Sequence, residues 1–216
     1  MLTIALTGGI GSGKTAVTDL FQKIAAQSEF PDCLKFIDAD NIARELLSGS
    51  LKEPSSYALQ AVYHFFGSGL FDSAGQLDRR QLRSLIFSSA TKKKQLEDIL
   101  HPLIYKEIFS KIRALSQQAE NTLVIIAIPL LLETETESHF DRILVVDVPV
   151  ELQIARSSQR DNCSSDLIKQ IINAQVDRQV RLNYADDIID NSGTLIELRA
   201  KVEALFHYYY SLIDKS

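Results

Sequence analysis

Gly8-Gly9-Ile10-Gly11-Ser12-Gly13-Lys14-Thr15, followed by Ala16, matches the spacing GxxxxGK[ST]. The chemistry that this spacing serves is the cradling of a polyphosphate. Glycines let the backbone curl closely around phosphate oxygens, and the first amides of the following helix, reinforced by its dipole, accept the anion. Lys14 would bring a positive charge to the β- and γ-phosphates, and the Thr15 hydroxyl would bind Mg2+. Further along, Asp38-Ala39-Asp40 sets two carboxylates at the end of an apolar segment. A kinase that acts on an alcohol needs a carboxylate to orient the hydroxyl and accept its proton, and magnesium needs oxygen ligands or groups that hold its waters. The plainer alternative is that Asp40 caps the next helix.

Elements must hold these groups in place. Leu2 to Thr7 reads as a short buried strand, and Lys14 to about Ala26 as the helix after the glycine-rich turn. Leu34 to Asp38, Leu123 to Ile128, Arg142 to Val148 and, more weakly, Asp187 to Ile189 are further strand candidates. Short apolar strands separated by helices predict an α/β protein whose parallel sheet is covered on both faces, with function beyond the carboxyl ends of the strands. The stretch from about Asn41 to Gln118 is mostly helical in pattern, and Pro102 is expected to divide it, because proline cannot donate the interior helix bond. This block is too long for a simple crossover. The expected organisation is a nucleotide-binding core of residues 1–44, 119–149 and 186–216, a helical acceptor domain of 45–118, and a helical insertion of 150–185. That insertion carries Arg156, Arg160, Arg178 and Arg181. Arg156 and Arg160, four apart, share one helix face, so the segment can close over phosphates as a lid, unless these are plain surface arginines.

Composition narrows the classes. The chain has 216 residues, 45% hydrophobic and 24% charged, enough for one globular unit with a sizeable core and a subdomain. Its net charge of -5 argues against a general nucleic-acid binder. Lys92-Lys93-Lys94 opens a helical pattern and reads as a solvated face. The longest apolar run, Leu123 to Leu132, falls well short of the roughly 18 residues of a membrane span. Without a basic n-region or a cleavage site, and with Cys33 and Cys163 in no paired motif, a cytoplasmic protein with free thiols is expected. Asp72-Ser73-Ala74-Gly75-Gln76 has the DxxG spacing and following glutamine of small GTPases, but it follows a helix end rather than a strand, and no NKxD motif occurs. The phosphate loop alone leaves open another nucleoside or nucleotide kinase and a non-enzymatic nucleotide-binding switch.

Later motifs narrow the choice. Thr7 to Thr15, Asp38-Ala-Asp40 with Ala43-Arg44, Gly75-Gln-Leu-Asp-Arg79 with Leu82 and Phe87, and Leu96-Glu97, Ile99 and His101-Pro102 follow in order. Then come Pro129-Leu-Leu-Leu-Glu133, Gln153 with Arg156 and Arg160, Gln175, and Ala185 to Gly193. This succession resembles the dephospho-CoA kinases. The resemblance implies a phosphate-loop core with a five-stranded parallel sheet, a helical CoA-binding insertion and a helical lid. It also implies transfer of the ATP γ-phosphate to the ribose 3'-hydroxyl of dephospho-CoA; a monomer or weak oligomer is the separate expectation. Gly11, Ser12, Gly13, Lys14, Thr15 and Ala16 would then hold the ATP phosphates, and Asp40 would be the base. Asp38, Arg44, Arg79 and His101 would serve the acceptor side, Arg156 and Arg160 the lid, and Asn191 to Gly193 the adenine side. Each of these has a structural alternative: His101 can end a helix, Arg79 can pair with Asp78 or Glu97, and Glu133 can cap a helix. The stretch Gln27 to Cys33 is longer than the family usually has.

Overall fold

The structure, a computed structural model, describes residues 1–29, 31–53, 57–117 and 121–213. Phe30, the ends of two expected segments at 118–120, residues 54–56 and 214–216 lie outside the described residues, as does the side chain of Phe87. Strands β1 (Leu2–Thr7), β2 (Leu34–Asp38), β3 (Leu123–Ala127), β4 (Arg142–Asp147) and β5 (Asp187–Asp190) form one sheet in the order β2-β3-β1-β4-β5. β1 runs parallel to β3 and β4, and β4 to β5, with Ile4 opposite Ile125 and Arg142, and Val145 opposite Ile188. The central strands are continuous apolar runs because both faces of such a sheet are buried, and all five residues of β3 are buried. β3 and β4 each end one residue before the expected strands, at Ala127 and Asp147.

Helix α1 (Lys14–Gln27) packs Val17, Phe21 and Ile24 with Val202, Phe206 and Tyr209 of the C-terminal helix against Ile4, Leu6, Ile125, Leu144 and Val146. That C-terminal helix spans Leu195–Ile213. The rings of Phe21 and Tyr209 stack with centroids 6.4 Å apart. The Tyr209 hydroxyl donates to Asp187 at 2.8 Å, and burial together with that carboxylate drives its pKa far above the ordinary phenol value. Arg142 donates to the same carboxylate oxygen at 2.9 Å. At the amino end of the sheet two aspartates extend the ladder. Asp141 accepts from Thr3 N at 2.7 Å and its own N–H donates to Thr3 O at 3.1 Å; Asp186 does the same with Ile143, at 2.8 and 3.0 Å.

Contacts divide the chain into two compact units, residues 1–37 with 114–216, and residues 38–113. The second contains α2 (Ala39–Leu46), α3 (Tyr57–Phe66), α4 (Arg79–Phe87) and most of α5 (Ala90–Ser116). Ala58, Val62, Leu70, Leu82, Leu96 and Leu100 form its core. Pro102 does not divide the helical stretch as expected; α5 runs through it for 27 residues. Proline removes one i→i−4 bond, but Leu96 and Leu100 before it and Ile108 after it are all buried, so packing holds both sides of the gap. Lys93 and Lys94 lie on the solvated face of α5, paired with Glu97 and Asp98 one turn on. Asp72, the residue of the DxxG spacing, instead accepts from Ala74 N and Gln76 N to close a turn of this unit.

The insertion 150–185 clusters with the sheet-bearing unit. It consists of α6 (Val150–Asp161), α7 (Ser165–Asn173) and α8 (Arg178–Asn183), and the C-terminal Leu195–Ile213 helix is α9. No described helix is long and apolar enough to cross a membrane.

Candidate active site

The phosphate loop joins the carboxyl end of β1 to α1, so the unpaired first-turn amides of α1 face out where the strand stops. Gly13, the cap residue, has φ of +90°, a conformation that glycine alone adopts without strain, and a Cβ there would collide with the Asn191 amide. Gly11 has φ of +70°, and its Cβ would lie 2.5 Å from Ser157 Oγ and 2.7 Å from Gln153 O on α6. α6 is therefore packed directly on the loop. Ser12 is fully buried within the loop, and its N–H donates to Gly9 O at 3.2 Å. Lys14 Nζ donates to Gly8 O at 2.7 Å and Gly9 O at 3.1 Å, and Thr15 stands exposed in the first turn of α1.

Asn191 is a buried junction beside this loop. Its Nδ2 donates to Ser12 O at 2.8 Å, its N–H donates to Asp147 O at 2.9 Å, and its own carbonyl accepts from Arg156 at 3.0 Å. Gly193 lies just before α9, close to the Glu197 side chain. Glu197 and Thr194 form a reciprocal capping pair, and the donated hydrogen bonds hold the Glu197 carboxyl below the usual carboxylate range. The two expected lid arginines part company. Arg156 turns in to Asn191, whereas Arg160, in the last turn of α6, forks onto the adjacent Asp161 at 2.8 and 2.7 Å.

Sequence patterning did not single out Asp147. It is buried at the carboxyl end of β4 and takes Arg178 in a two-pronged contact at 2.9 and 2.6 Å, which raises the Arg178 pKa. The available signal was an acidic residue closing an apolar strand. Arg181 is buried as well; burial lowers its pKa, against the opposing pull of Glu133, Asp147 and Asp177. Glu133 is not a helix cap: its carboxylate accepts from Val176 N at 2.9 Å.

In the helical unit, the capping residue of α2 is Asp38 rather than Asp40. Asp38 Oδ1 accepts from Asp40 N at 2.8 Å and Asn41 N at 3.1 Å, and Asp40 occupies the exposed first turn. Arg44, one turn on, is held by Asn41 at 3.1 Å. Arg79 pairs with neither Asp78 nor Glu97; it donates to Arg44 O at 2.8 Å and Leu47 O at 3.1 Å, closing the carboxyl end of α2. His101 is half-buried on α5. Two cavities of about 420 and 540 Å³ open in this unit, and neither is lined by Asp38, Asp40, Arg44, Arg79 or His101. Among the described residues, no cluster of three or more His, Cys, Asp or Glu side chains is placed to hold a metal ion. The structure thus brings the phosphate loop together with Asn191 and Arg156, and Asp38 and Asp40 together with Arg44 and Arg79.

Known proteins carry the same arrangement of sequence and fold. The chain is 42% identical over 211 residues to the dephospho-CoA kinase of Hahella chejuensis, covering 98% of this chain and 93% of that one. It is 39% identical over 212 residues to that of Escherichia coli strain K12, covering 98% and 95%. The solved dephospho-CoA kinase from Campylobacter jejuni superposes with a TM-score of 0.68 at 26% identity, over 97% of both chains. With residues 2–197 matching the dephospho-CoA kinase family model, the chain belongs to the dephospho-CoA kinase family.

Proposed function

We propose that the chain transfers the ATP γ-phosphate to the ribose 3'-hydroxyl of dephospho-CoA with the phosphate loop as donor cradle and Asp40 as proton acceptor. The chain is a dephospho-CoA kinase, an ATP-dependent phosphotransferase; the roles of its residues are the proposal. The observation that carries them is the loop: the first-turn amides of α1, the Lys14 ammonium and the Thr15 hydroxyl are presented together at the end of β1. Amides and ammonium hold the phosphates in place, and a charge aimed at the transferring group lowers the barrier without reorganisation. Magnesium, bound with the nucleotide, would neutralise phosphate charge, and the hard oxygen of Thr15 suits it. Asp40, in the exposed first turn of α2, has the chemistry to take the acceptor proton. Arg156 fixes the Asn191 loop on the nucleotide side, and Arg160 would join it only if the 150–185 segment closes. Asp38, Arg44 and Arg79 hold α2 and so the direction in which Asp40 projects. Cys33 and Cys163 as free thiols suit a reducing compartment, and the cytoplasm is the proposed location.

The test is an ADP-release assay with dephospho-CoA against adenosine, uridine and AMP. Turnover confined to dephospho-CoA, lost on the order of 10²- to 10³-fold in Lys14→Ala with ATP binding weakened, is the expected result. Equal turnover on a nucleoside, or an unaffected Lys14→Ala, would point to other residues and another acceptor.

A further inference from the structure

The phosphate loop is also fastened from the α7–α8 junction, by Gln175. Ile10 N–H points to Gln175 Oε1 at 3.0 Å. That N–H belongs to the same peptide unit as Gly9 C=O, which accepts from Lys14 Nζ at 3.1 Å and from Ser12 N at 3.2 Å. A peptide unit is planar and trans, so its N–H and C=O point in opposite directions, and holding one fixes the other. Gly9 is also closely packed against the 150–185 insertion: a Cβ there would lie 2.6 Å from Gln153 Oε1 and 3.2 Å from Arg181 Nη1.

Gln175 is itself held. It lies between α7 and α8, and the next residue, Val176, is fastened at both ends of its backbone. Val176 N donates to Glu133 at 2.9 Å, and Val176 O accepts from the buried Arg181 at 2.7 Å. Glu133 follows β3, so the turn after one strand, the α7–α8 junction and the loop after another strand form one connected series. We infer that Gln175 is a positioning residue for phosphoryl transfer: anchored through Val176 by Glu133 and Arg181, it orients the Gly9–Ile10 peptide that seats the Lys14 ammonium. This deepens the proposed role of the phosphate loop and rests on it.

The experiment measures steady-state kinetics with varied ATP, together with melting temperature, for Gln175→Ala, Glu133→Ala, Glu133→Gln, the Gln175→Ala/Glu133→Ala double variant and Lys14→Ala. Losing a part-buried hydrogen bond at this position is expected to reduce kcat/KM for ATP roughly tenfold in Gln175→Ala, with the KM for dephospho-CoA little changed. Glu133→Ala should show part of the same defect. Glu133→Gln, which keeps an oxygen to accept from Val176, should restore most of it. The double variant should be no worse than Gln175→Ala, because both act through one peptide. Unchanged ATP kinetics in Gln175→Ala, with only a lower melting temperature, would reduce the residue to a structural one and overturn the inference, as would losses that add in the double variant. If Lys14→Ala keeps full turnover, the phosphate-loop reading beneath the inference fails, and that failure is visible separately.

Discussion

Asp38 and Asp40 are separated by one residue, yet the hydrogen bonds divide their work. Asp38 caps α2 through one carboxylate oxygen, while Asp40 stands in the exposed first turn. Asp40→Asn keeps the shape and removes the charge that accepts a proton. Turnover with saturating ATP should fall toward the lower end of the range of about 10² to 10⁴ typical of a lost general base, since the loose transition state of phosphoryl transfer needs little early deprotonation. A separate ATP-binding measurement should show no change. Asp38→Asn still caps, because asparagine is as good a cap as aspartate, whereas Asp38→Ala should cost about 1 kcal/mol of stability. A raised magnesium requirement in Asp38→Asn would therefore report on the charge and not on the helix; an unchanged requirement would leave Asp38 as a cap alone.

At the scale of elements, β5 hands over to α9 through a short turn held by charge. Asp190 accepts from Ser192 N at 2.9 Å and from Lys201 at 3.3 Å, and these bonds, with that of Ser192 first, pull its pKa below the ordinary value of 3.8. A carboxylate with a depressed folded pKa stabilises the fold fully above its unfolded pKa and loses that contribution as pH falls through the folded value. Asp190→Asn should accordingly be slightly less stable than the parent near neutral pH, by a margin that solvent screening keeps small. The two melting temperatures should converge as the pH falls through the folded-state pKa, which lies below 3.8; a constant gap down to strong acid would show that the bond geometry, not the charge, matters. The elements themselves were largely legible in the sequence, because apolar runs and a GxxxxGK[ST] turn are local patterns. What was not legible is long in sequence. Arg79 finds its acceptors 35 and 32 residues away, and Gln175 meets Ile10 across 165, so no spacing rule could pair them. Pro102 misled for the related reason that packing on both sides outweighs one missing helix bond.

For the molecule as a whole, two compact units with separate cores mean that damage to one need not disable the other. Leu96 is buried in the helical unit, and Leu96→Ala should cost roughly 2 to 4 kcal/mol there. Dephospho-CoA turnover should become heat-sensitive while ATP binding, measured alone at low temperature, stays near normal. Loss of both together would mean that the units unfold as one. The sheet also has two unlike ends. At its amino end Asp141 and Asp186 each close a ring with a strand residue, donating a backbone N–H to the carbonyl of the residue whose amide they accept. At its carboxyl end the strands run out into the glycine loop and the Asn191 turn. Amide hydrogen exchange should read this polarity directly. Thr3 and Ile143, though at strand ends that ordinarily fray, should exchange as slowly as the strand interior and lose that protection in Asp141→Ala and Asp186→Ala respectively. Adding ATP should slow exchange at Gly11 to Ala16 and leave Thr3 and Ile143 untouched, so that the sheet responds to its ligand from one end only.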